Sequence, residues 1–216
     1  MPDLSVRSYE SEWMDDLSRP DHEFAEAYRE LTAVNKWLGG IRAVARFLPA
    51  DGRKITILDV ASGGCDVGEA LMKQRNCTVV SLDLNPRGLK SAIRTTPLAG
   101  SAFQLPFANA SFDAVISSLF FHHLTDSECV CVLSEMWRTT RQLLIVNDLH
   151  RHAVAHASIR ILSALLSRST MFRNDSAASV RKAFKPSELL ELSRQAHVPA
   201  RVVRSFPFRL VMVAEK

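Results

Sequence analysis

The spacing of apolar residues changes several times along the chain, and each change predicts an element. Over residues 21–48 apolar side chains recur close to every 3.6 residues, which predicts an amphipathic helix. Gly39 and Gly40 lie inside this pattern and predict a kink or a division. The sequence PADG at residues 49–52 predicts its end.

Beyond residue 52, short apolar runs alternate with helical patterns. Strands are predicted at 55–60, 78–83, 112–118 and 142–148, with two more at 201–205 and 208–213 that form a hairpin around Pro207. Helices are predicted at 66–75, 86–94, 126–138, 153–167 and 186–196. Such alternation predicts a parallel sheet with helices on both faces. The segment 95–103, TTPLAGSAF, is a poor strand at a place where such a sheet needs one.

Length and composition fit a single globular domain. The chain has 216 residues, of which 47% are hydrophobic and 23% charged. No apolar run approaches the roughly 20 residues of a membrane span. The polar, acidic N-terminal sequence has no signal-peptide or transit-peptide character. We therefore expect a cytoplasmic protein without a membrane span.

Cysteine spacing and charge narrow the ligand classes. Cys65, Cys77, Cys129 and Cys131 form no CxxC pair and have no histidines at zinc-ligand spacing, so we expect reduced thiols and no metal. The net charge is +4, and residues 151–216 carry 12 Lys and Arg against 4 Asp and Glu. This basic part suits an anionic substrate, a membrane surface, an acidic protein or nucleic acid, or is simply solvated.

The most informative segment is ILDVASGGCDVGEAL at residues 57–71. A buried strand is followed by a turn of small residues and then by a helix near Asp66, which lets a ligand approach the backbone closely. The next strand ends at Asp83, whose carboxylate can accept hydrogen bonds from both ribose hydroxyls of an adenosine cofactor.

Two cofactor classes fit this strand–turn–helix unit. NAD enzymes normally carry GxGxxG, which is missing here, and Asp66 places negative charge where a pyrophosphate would lie. S-adenosylmethionine (SAM) has no phosphate and carries a sulfonium cation. Charge therefore favours SAM and argues against an NAD-dependent reductase.

Three segments, ILDVASGGCD, VVSLDLNP and LPFANASFDAVISSLFFHHL, together resemble the class I, Rossmann-like SAM-dependent methyltransferases over about residues 55–150. The third is similar to small-molecule methyltransferases, including those of quinone and polyketide-type pathways. The resemblance implies an α/β fold with a doubly wound, mostly parallel seven-stranded sheet, one antiparallel strand near the C-terminus and an N-terminal helical cap. It also implies a SAM-binding core at 51–150 between a cap at 1–50 and a substrate-side lid with the C-terminal strands at 151–216.

The resemblance also implies a set of cofactor contacts. Asp59 would hold the loop or reach the methionine amino group through water. The methionine moiety would be lined by Ala61, Ser62 and Gly63, with Ser118 near its ammonium group. Asp83 would bind the ribose, with Leu84, Ala102 and Phe103 around the adenine. Ala61 and Cys65 stand where the family usually has glycine.

Candidate acceptor residues follow two predicted strands. His122, His123, Asp148 and His150 lie where strands end, the usual place for ligands in open α/β sheets. A histidine there is a candidate base for a hydroxyl acceptor. His122 and His123 also suit a helix start or core packing, and Asp148 also suits a helix cap. In the segment 179–184, interpreted as a connection in the lid, Arg181 is a candidate clamp for an anion and Phe184 a candidate stacking partner. The N-terminal helix is a candidate cover of the cofactor cleft through Trp13, Tyr28, Asn35 or Trp37.

The leading hypothesis is a SAM-dependent enzyme that methylates an O or C atom of an aromatic, quinone or polyketide-like small molecule, leaving S-adenosylhomocysteine (SAH). A nucleic-acid methyltransferase is an alternative, but no Asn-Pro-Pro-aromatic motif or RNA-binding module is visible, so no nucleic-acid partner is expected. A non-catalytic SAM-binding partner protein is a third hypothesis, because the glycine loop is altered. The apolar side of helix 153–167, with arginines nearby, also suggests contact with a membrane surface. The oligomeric state is left open.

Overall fold

The computed structural model describes residues 3–216, which build one seven-stranded sheet with helices on both faces. The strands are β1 (Ile55–Val60), β2 (Cys77–Asp83), β3 (Thr96–Ala99), β4 (Phe112–Ser118), β5 (Thr140–Leu149), β6 (Ala200–Ser205) and β7 (Arg209–Glu215). Their spatial order is β3-β2-β1-β4-β5-β7-β6, and only β7 runs antiparallel to its neighbours. The fold class expected from the sequence is confirmed, including the hairpin of the last two strands.

Eight α-helices surround the sheet in the described part of the chain. They are α1 (Asp21–Trp37), α2 (Gly40–Ala45), α3 (Asp66–Gln74), α4 (Pro86–Leu89), α5 (Asp126–Thr139), α6 (Ala153–Leu166), α7 (Thr170–Lys182) and α8 (Pro186–Gln195). Short 3-10 helices occur at Trp13–Asp15 and Phe121–His123. Each of these helices is too short or too polar to cross a bilayer.

The central strands are buried on both faces because successive side chains point to opposite sides of the sheet. Leu58 packs with the layer that contains α5 and α8, whereas its neighbour Ile57 packs with the layer that contains α2 and α3. These two apolar layers fix the sheet. As a result the carboxyl ends of β1, β2, β4 and β5 lie along one edge, where the loops of the site begin.

A glycine and a glutamate determine where two of the helices end. Gly39 has a left-handed backbone (φ 73°) and separates α1 from α2, as the Gly39-Gly40 pair predicted. Helix α4 ends at Leu89, five residues before the predicted end. The reason is Glu69: its Oε1 accepts hydrogen bonds from the backbone N–H groups of residues 93–95 and turns the chain toward β3.

The poor strand in TTPLAGSAF is the short edge strand β3, which pairs only with β2. Proline has no N–H and cannot donate a hydrogen bond to a neighbouring strand. Pro97 is tolerated in β3 because an edge strand has a neighbour on one side only.

Helix α7 corrects one sequence-based interpretation. The segment 179–184 was expected to be a connection, but residues up to Lys182 are the last turns of this helix. Its buried side contains polar residues, among them Asp175, Ser176 and Lys182. Asp175 and Lys182 contact the N-terminal segment, and Ser176 donates to the Arg173 carbonyl of the same helix. The helix therefore lacks the apolar period by which a buried helix is recognised in a sequence.

Candidate active site

In the loop after β1, every second residue from 61 to 65 has a left-handed backbone conformation. Ala61 (φ 56°), Gly63 (φ 51°) and Cys65 (φ 61°) all have positive φ. Ser62 N–H donates to the Leu82 carbonyl at 3.0 Å and so ties the loop to β2. The alanine and the cysteine therefore adopt the conformation for which glycine is normally selected, which strains each of them by about 1–2 kcal/mol. The altered motif keeps the shape of the loop.

Asp83, at the end of β2, is fixed by the same loop. Its Oδ2 accepts a hydrogen bond from Gly63 N–H at 2.7 Å, and its Oδ1 accepts one from Asn85 N–H at 2.7 Å. Burial raises the pKa of this carboxyl above its usual value. Each oxygen keeps a further lone pair, so the carboxylate can still accept hydrogen bonds from a ligand diol.

These loops enclose a cavity of about 370 Å³. Eight of the nine residues predicted to bind the cofactor line it: Ala61, Ser62, Gly63, Asp83, Leu84, Ala102, Phe103 and Ser118. The exception is Asp59, which is buried beneath the loop, and neither of its carboxylate oxygens has a hydrogen-bond partner among the described residues. Burial and the nearby Asp66 carboxylate raise its pKa well above the usual value.

Asp66, at the first turn of α3, shows which ligand charge the cavity suits. The residue lines the cavity, and its buried Oδ2 has no hydrogen-bond partner within the described chain. An acceptor of this kind suits the ammonium group of a methionine moiety and repels a phosphate. The cavity therefore fits SAM better than a dinucleotide.

Helix α1 covers the loop, as one of the sequence hypotheses held. Tyr28 and Asn35 line the cavity, and a methyl group added to Gly63 or Gly64 would be 3.4–3.5 Å from Tyr28. The other two candidates, Trp13 and Trp37, do not line this cavity and are exposed.

Comparisons with known proteins agree with this geometry. Residues 58–143 match the family model described as a methyltransferase domain. This central stretch of the chain is therefore similar to methyltransferase domains. A 103-residue stretch is 33% identical to an uncharacterized methyltransferase from Synechocystis and covers 44% of this chain. That stretch spans about half, 47%, of the relative's length.

Solved structures of methyltransferases share the fold of this chain. A SAM-dependent methyltransferase from Aquifex aeolicus superposes with a TM-score of 0.67 at 15% identity, over 91% of this chain and 98% of that one. A Burkholderia thailandensis 1,6-didemethyltoxoflavin-N1-methyltransferase, solved with 1,6-didemethyltoxoflavin and SAH, gives 0.56 at 19% identity, over 92% and 91% of the two chains.

A second cavity of about 200 Å³ adjoins the first. After their candidate ligands, the first is called the cofactor cavity and the second the acceptor cavity. The two share four lining residues: Met14, Leu31, Leu119 and His123. Most of its other walls are apolar and come from α1, α6, α7 and the turn before β7. A planar organic molecule in this space would lie next to the methionine end of the cofactor cavity.

His122 and Asp148 form a buried pair in the wall of the second cavity. Asp148 Oδ1 is 2.7 Å from His122 Nδ1, and Asp148 Oδ2 accepts a hydrogen bond from His122 N–H at 3.1 Å. Although burial opposes ionisation, the imidazole lowers the pKa of Asp148 below its usual value. Asp148 does not line the cavity, and the cap of α6 is His152, so its contacts make it a positioning residue rather than a cap or an acceptor contact.

His123 forms a second pair at the junction of the cavities. Its Nδ1 is 2.7 Å from Asp15 Oδ1, in the 3-10 helix of the N-terminal segment. Burial disfavours the imidazolium, but the carboxylates of Glu12 and Asp15 outweigh it and raise the pKa of His123. The Glu12 carboxylate is 3.9 Å from the Nε2 atoms of both His122 and His123.

Glu12, His122 and His123 also have the spacing of metal ligands, since their ligand atoms lie within 4.8 Å of one another. However, Lys182 Nζ is 3.1 Å from Glu12 Oε1 and 3.5 Å from Asp15 Oδ2. An ammonium group therefore already supplies positive charge at this position. We treat the group as an acid–base cluster, and the expectation of no metal stays a prediction.

The N-terminal segment brings Glu12 and Asp15 into place. Asp175 of α7 accepts hydrogen bonds from Trp13 N–H at 2.8 Å and Met14 N–H at 3.0 Å. Further along the segment, Arg7 is buried and donates to the Lys182 carbonyl at 2.7 Å, with its guanidinium 4.0 Å from the ring centroid of Phe184. These contacts fasten the segment across the acceptor cavity.

Of the three remaining residues predicted to contact the acceptor, only one lines the cavity. His150 lines the cavity. Arg181 does not line it and forms an ion pair with Glu10, so its charge is already neutralised. Phe184 is fully buried with its ring face against Arg7, which leaves no face for a substrate. The expectations of an Arg181 clamp and a Phe184 stacking surface are therefore corrected.

Arg209, at the start of β7, is a candidate site residue that no sequence pattern indicated. It is 1% exposed and lines the acceptor cavity. Its Nε donates to the Leu38 carbonyl at 3.0 Å and its Nη2 to Asn35 Oδ1 at 3.2 Å, while buried Nη1 has no partner in residues 3–216. Burial lowers its pKa to about 10, still far above neutrality. A charged donor is thus available to a ligand oxygen.

Proposed function

We propose that this protein is an active methyltransferase that transfers the methyl group of SAM to an O or C atom of a small, mainly apolar aromatic acceptor such as a phenol, quinol or polyketide-like ring. The single observation that carries the proposal is the pair of adjoining cavities. One is lined by loops of the stretch that matches the methyltransferase domain. The other is mostly apolar and has an imidazole–carboxylate pair in its wall.

His122 is the candidate general base. Its hydrogen bond to Asp148 favours the tautomer with the proton on Nδ1, which leaves the Nε2 lone pair to accept a proton from an acceptor hydroxyl. Asp148 then stabilises the imidazolium that forms. The resulting phenolate is a better nucleophile at oxygen and at the ring carbons beside it.

Bound SAM supplies an electrophilic methyl group on a sulfonium. The acceptor oxygen or carbon forms the new bond to that methyl as the sulfur–methyl bond breaks, and neutral SAH is left. The contribution of the protein is to hold acceptor and methyl in line and to keep water out. Leu31, Leu119 and Met14 line both cavities where the two reactants would meet.

Arg209 suits an acceptor with a second oxygen. Its unpartnered Nη1 can donate a charge-assisted hydrogen bond to a carbonyl, hydroxyl or phenolate oxygen. An all-hydrocarbon ligand would leave this donor buried without a partner, which is costly. This favours oxygenated rings over simple hydrocarbons.

Titration calorimetry of SAM and SAH into the wild type and Asp83→Ala tests the cofactor part. We expect binding that weakens at least tenfold in the variant, or about 1.4 kcal/mol. The wild type and His122→Gln are then assayed for methyl transfer to a panel of phenols and quinols. Turnover of at least one acceptor by the wild type and its loss in His122→Gln, with SAH affinity kept, supports the proposal. Binding of SAH without turnover of any acceptor would instead favour a non-catalytic partner protein.

A further inference from the structure

Helix α6 presents its apolar side to solvent. Val154 (54% exposed), Ile161 (60%) and Leu165 (76%) follow one another at helical spacing, and Leu166 (75%) extends the stripe. The residues that α6 buries are small or polar: Ala155, His156 and Ser163. A helix that packs on a protein core shows the reverse arrangement, so the outer side of α6 needs another explanation.

The charged residues of the segment that contains this helix are all arginines, and the nearby Glu30 carboxylate of α1 is engaged by the backbone N–H groups of Arg168 and Ser169. Residues 151–174 contain four arginines and neither aspartate nor glutamate. Arg160 is exposed within α6, and Arg168 and Arg173 are exposed just after it. An apolar stripe bordered by arginine is the arrangement of helices that lie on anionic bilayers. In a symmetric dimer the same face would meet its own copy, so the arginines of both copies would be brought together and would repel each other. This favours a lipid surface over a second copy.

The exposed stripe is continuous with the acceptor cavity. Leu162 is 42% exposed and also lines the cavity, together with Ile159 and Ser158 of the same helix. Two aromatic residues near the cavity are also exposed, Trp37 (74%) and Phe206 (84%). Each immediately precedes in the sequence a residue that lines the cavity, Leu38 and Pro207 respectively. Aromatic side chains are enriched where proteins meet the headgroup region of a bilayer.

We propose that α6, with Trp37 and Phe206, docks this protein on the surface of an anionic phospholipid bilayer, and that the acceptor enters the cavity from the bilayer beside α6. The occupant of the exposed face is the lipid surface. The entry route rests on the proposed methyl-transfer function, whereas the docking does not. Because the contact is a single helix with few charges, the binding is reversible and weakens with salt.

The test is co-sedimentation of the full chain with vesicles of phosphatidylglycerol and phosphatidylcholine at low salt. We expect the wild type to sediment, to be released by high salt and to bind vesicles of phosphatidylcholine alone more weakly. In Ile161→Glu/Leu165→Glu, two carboxylates replace apolar contacts, and we expect vesicle affinity to fall about tenfold or more. The matched control is Ile93→Glu, since Ile93 is 81% exposed, follows α4 and lines neither cavity, and it should sediment like the wild type.

SAH titration of each variant shows that it is folded, and it separates failure of docking from failure of the proposed function. A wild type that binds SAH but does not sediment with anionic vesicles would overturn the proposal. So would a double variant that sediments like the wild type. A wild-type dimer that becomes monomeric in the double variant would show instead that a second copy covers α6.

Discussion

The cofactor cavity and the acceptor cavity of this protein adjoin, but they are assembled from the chain in opposite ways. The cofactor cavity is formed mainly by turns that directly follow β1, β2, β3 and β4. The acceptor cavity joins residues as distant as Glu12 and Arg209. Local motifs thus specify the first cavity, whereas contacts between remote segments specify the second.

The two cavities also differ in how charge is balanced. On the cofactor side, Asp66 and Asp83 line the wall with no cationic side chain bonded to them. On the acceptor side, two carboxylates are paired with an imidazole or a cation, in His122–Asp148 and Lys182–Glu12, and Asp175 accepts hydrogen bonds from two backbone N–H groups. The first arrangement leaves negative charge for a cationic ligand. The second is internally balanced and suits proton transfer to and from a neutral ligand.

The largest expected effect is in Asp148→Asn. An amide can no longer stabilise the imidazolium and favours the wrong tautomer of His122, so the rate of methyl transfer should fall about 10²–10⁴-fold. SAH affinity should stay within twofold, roughly, because Asp148 does not line the cofactor cavity. Single-turnover kinetics with the acceptor found in the panel measure the rate.

Asp113→Asn is the matched control. Asp113 bonds to Thr56 and Arg141 near the amino end of β4, away from both cavities, so its loss should leave the rate unchanged. A similar rate loss in both variants would mean that Asp148 acts only through the stability of the sheet.

A smaller effect is expected in Arg209→Lys. Lysine keeps a positive charge near Asp148 and Asp66 but loses the Nη1 donor. We expect the KM for an oxygenated acceptor to rise about tenfold or more with SAH affinity retained, in line with about 1.5–3 kcal/mol for a charged hydrogen bond. Exposed Arg201→Lys on β6 is the control. An unchanged acceptor KM would remove Arg209 from the acceptor site.

The His123–Asp15 pair should appear as a pH dependence of stability. The pKa of His123 is raised in the folded protein, so its contribution is complete below the unfolded value of about 6.5 and is lost as pH rises through the folded value. The free energy of unfolding, measured with urea across this range, should fall more steeply with pH in the wild type than in His123→Gln. Equal slopes would contradict the pairing.

The smallest effect concerns the strained loop. Ala61→Gly relieves a left-handed alanine (φ 56°), and we expect a gain of about 0.5–1 kcal/mol in the free energy of unfolding. Ala110 has φ 53° and does not line the cofactor cavity. Ala110→Gly should therefore show a similar gain. If only Ala61→Gly destabilised the protein, its methyl group would be holding the loop in shape.

The same contrast explains what could be predicted from the sequence. The turn after β1 and the acidic residue after β2 were found because strand, turn and helix follow one another within about 30 residues. The mostly parallel seven-stranded sheet and its antiparallel strand followed from the family resemblance. Helix α4 was predicted too long because the Glu69 carboxylate binds the backbone after the helix and turns the chain toward β3. This contact joins two separate segments, and no local sequence pattern indicates it.

The acceptor site was only partly predictable. His122, His123 and His150 were predicted because ligands in such sheets bind at the ends of strands. All three line the second cavity, and their contact with an acceptor stays a prediction. Glu12, Lys182 and Arg209 left no signal, because their charges are matched by residues far along the chain. Phe184 and Arg181 were misplaced for the same reason: their partners are Arg7 and Glu10 in the N-terminal segment.

The central claim is that one cavity binds the cofactor and the other performs the acid–base chemistry. Its most direct test measures SAH affinity by calorimetry and the single-turnover rate at saturating cofactor, in parallel, for Asp83→Ala and His122→Gln. The account predicts a crossed result: Asp83→Ala weakens SAH binding at least about tenfold but keeps most of the rate, whereas His122→Gln keeps the affinity and loses the rate about 10²–10⁴-fold. If both variants lost both properties, or if His122→Gln turned over like the wild type, the division of roles would be wrong.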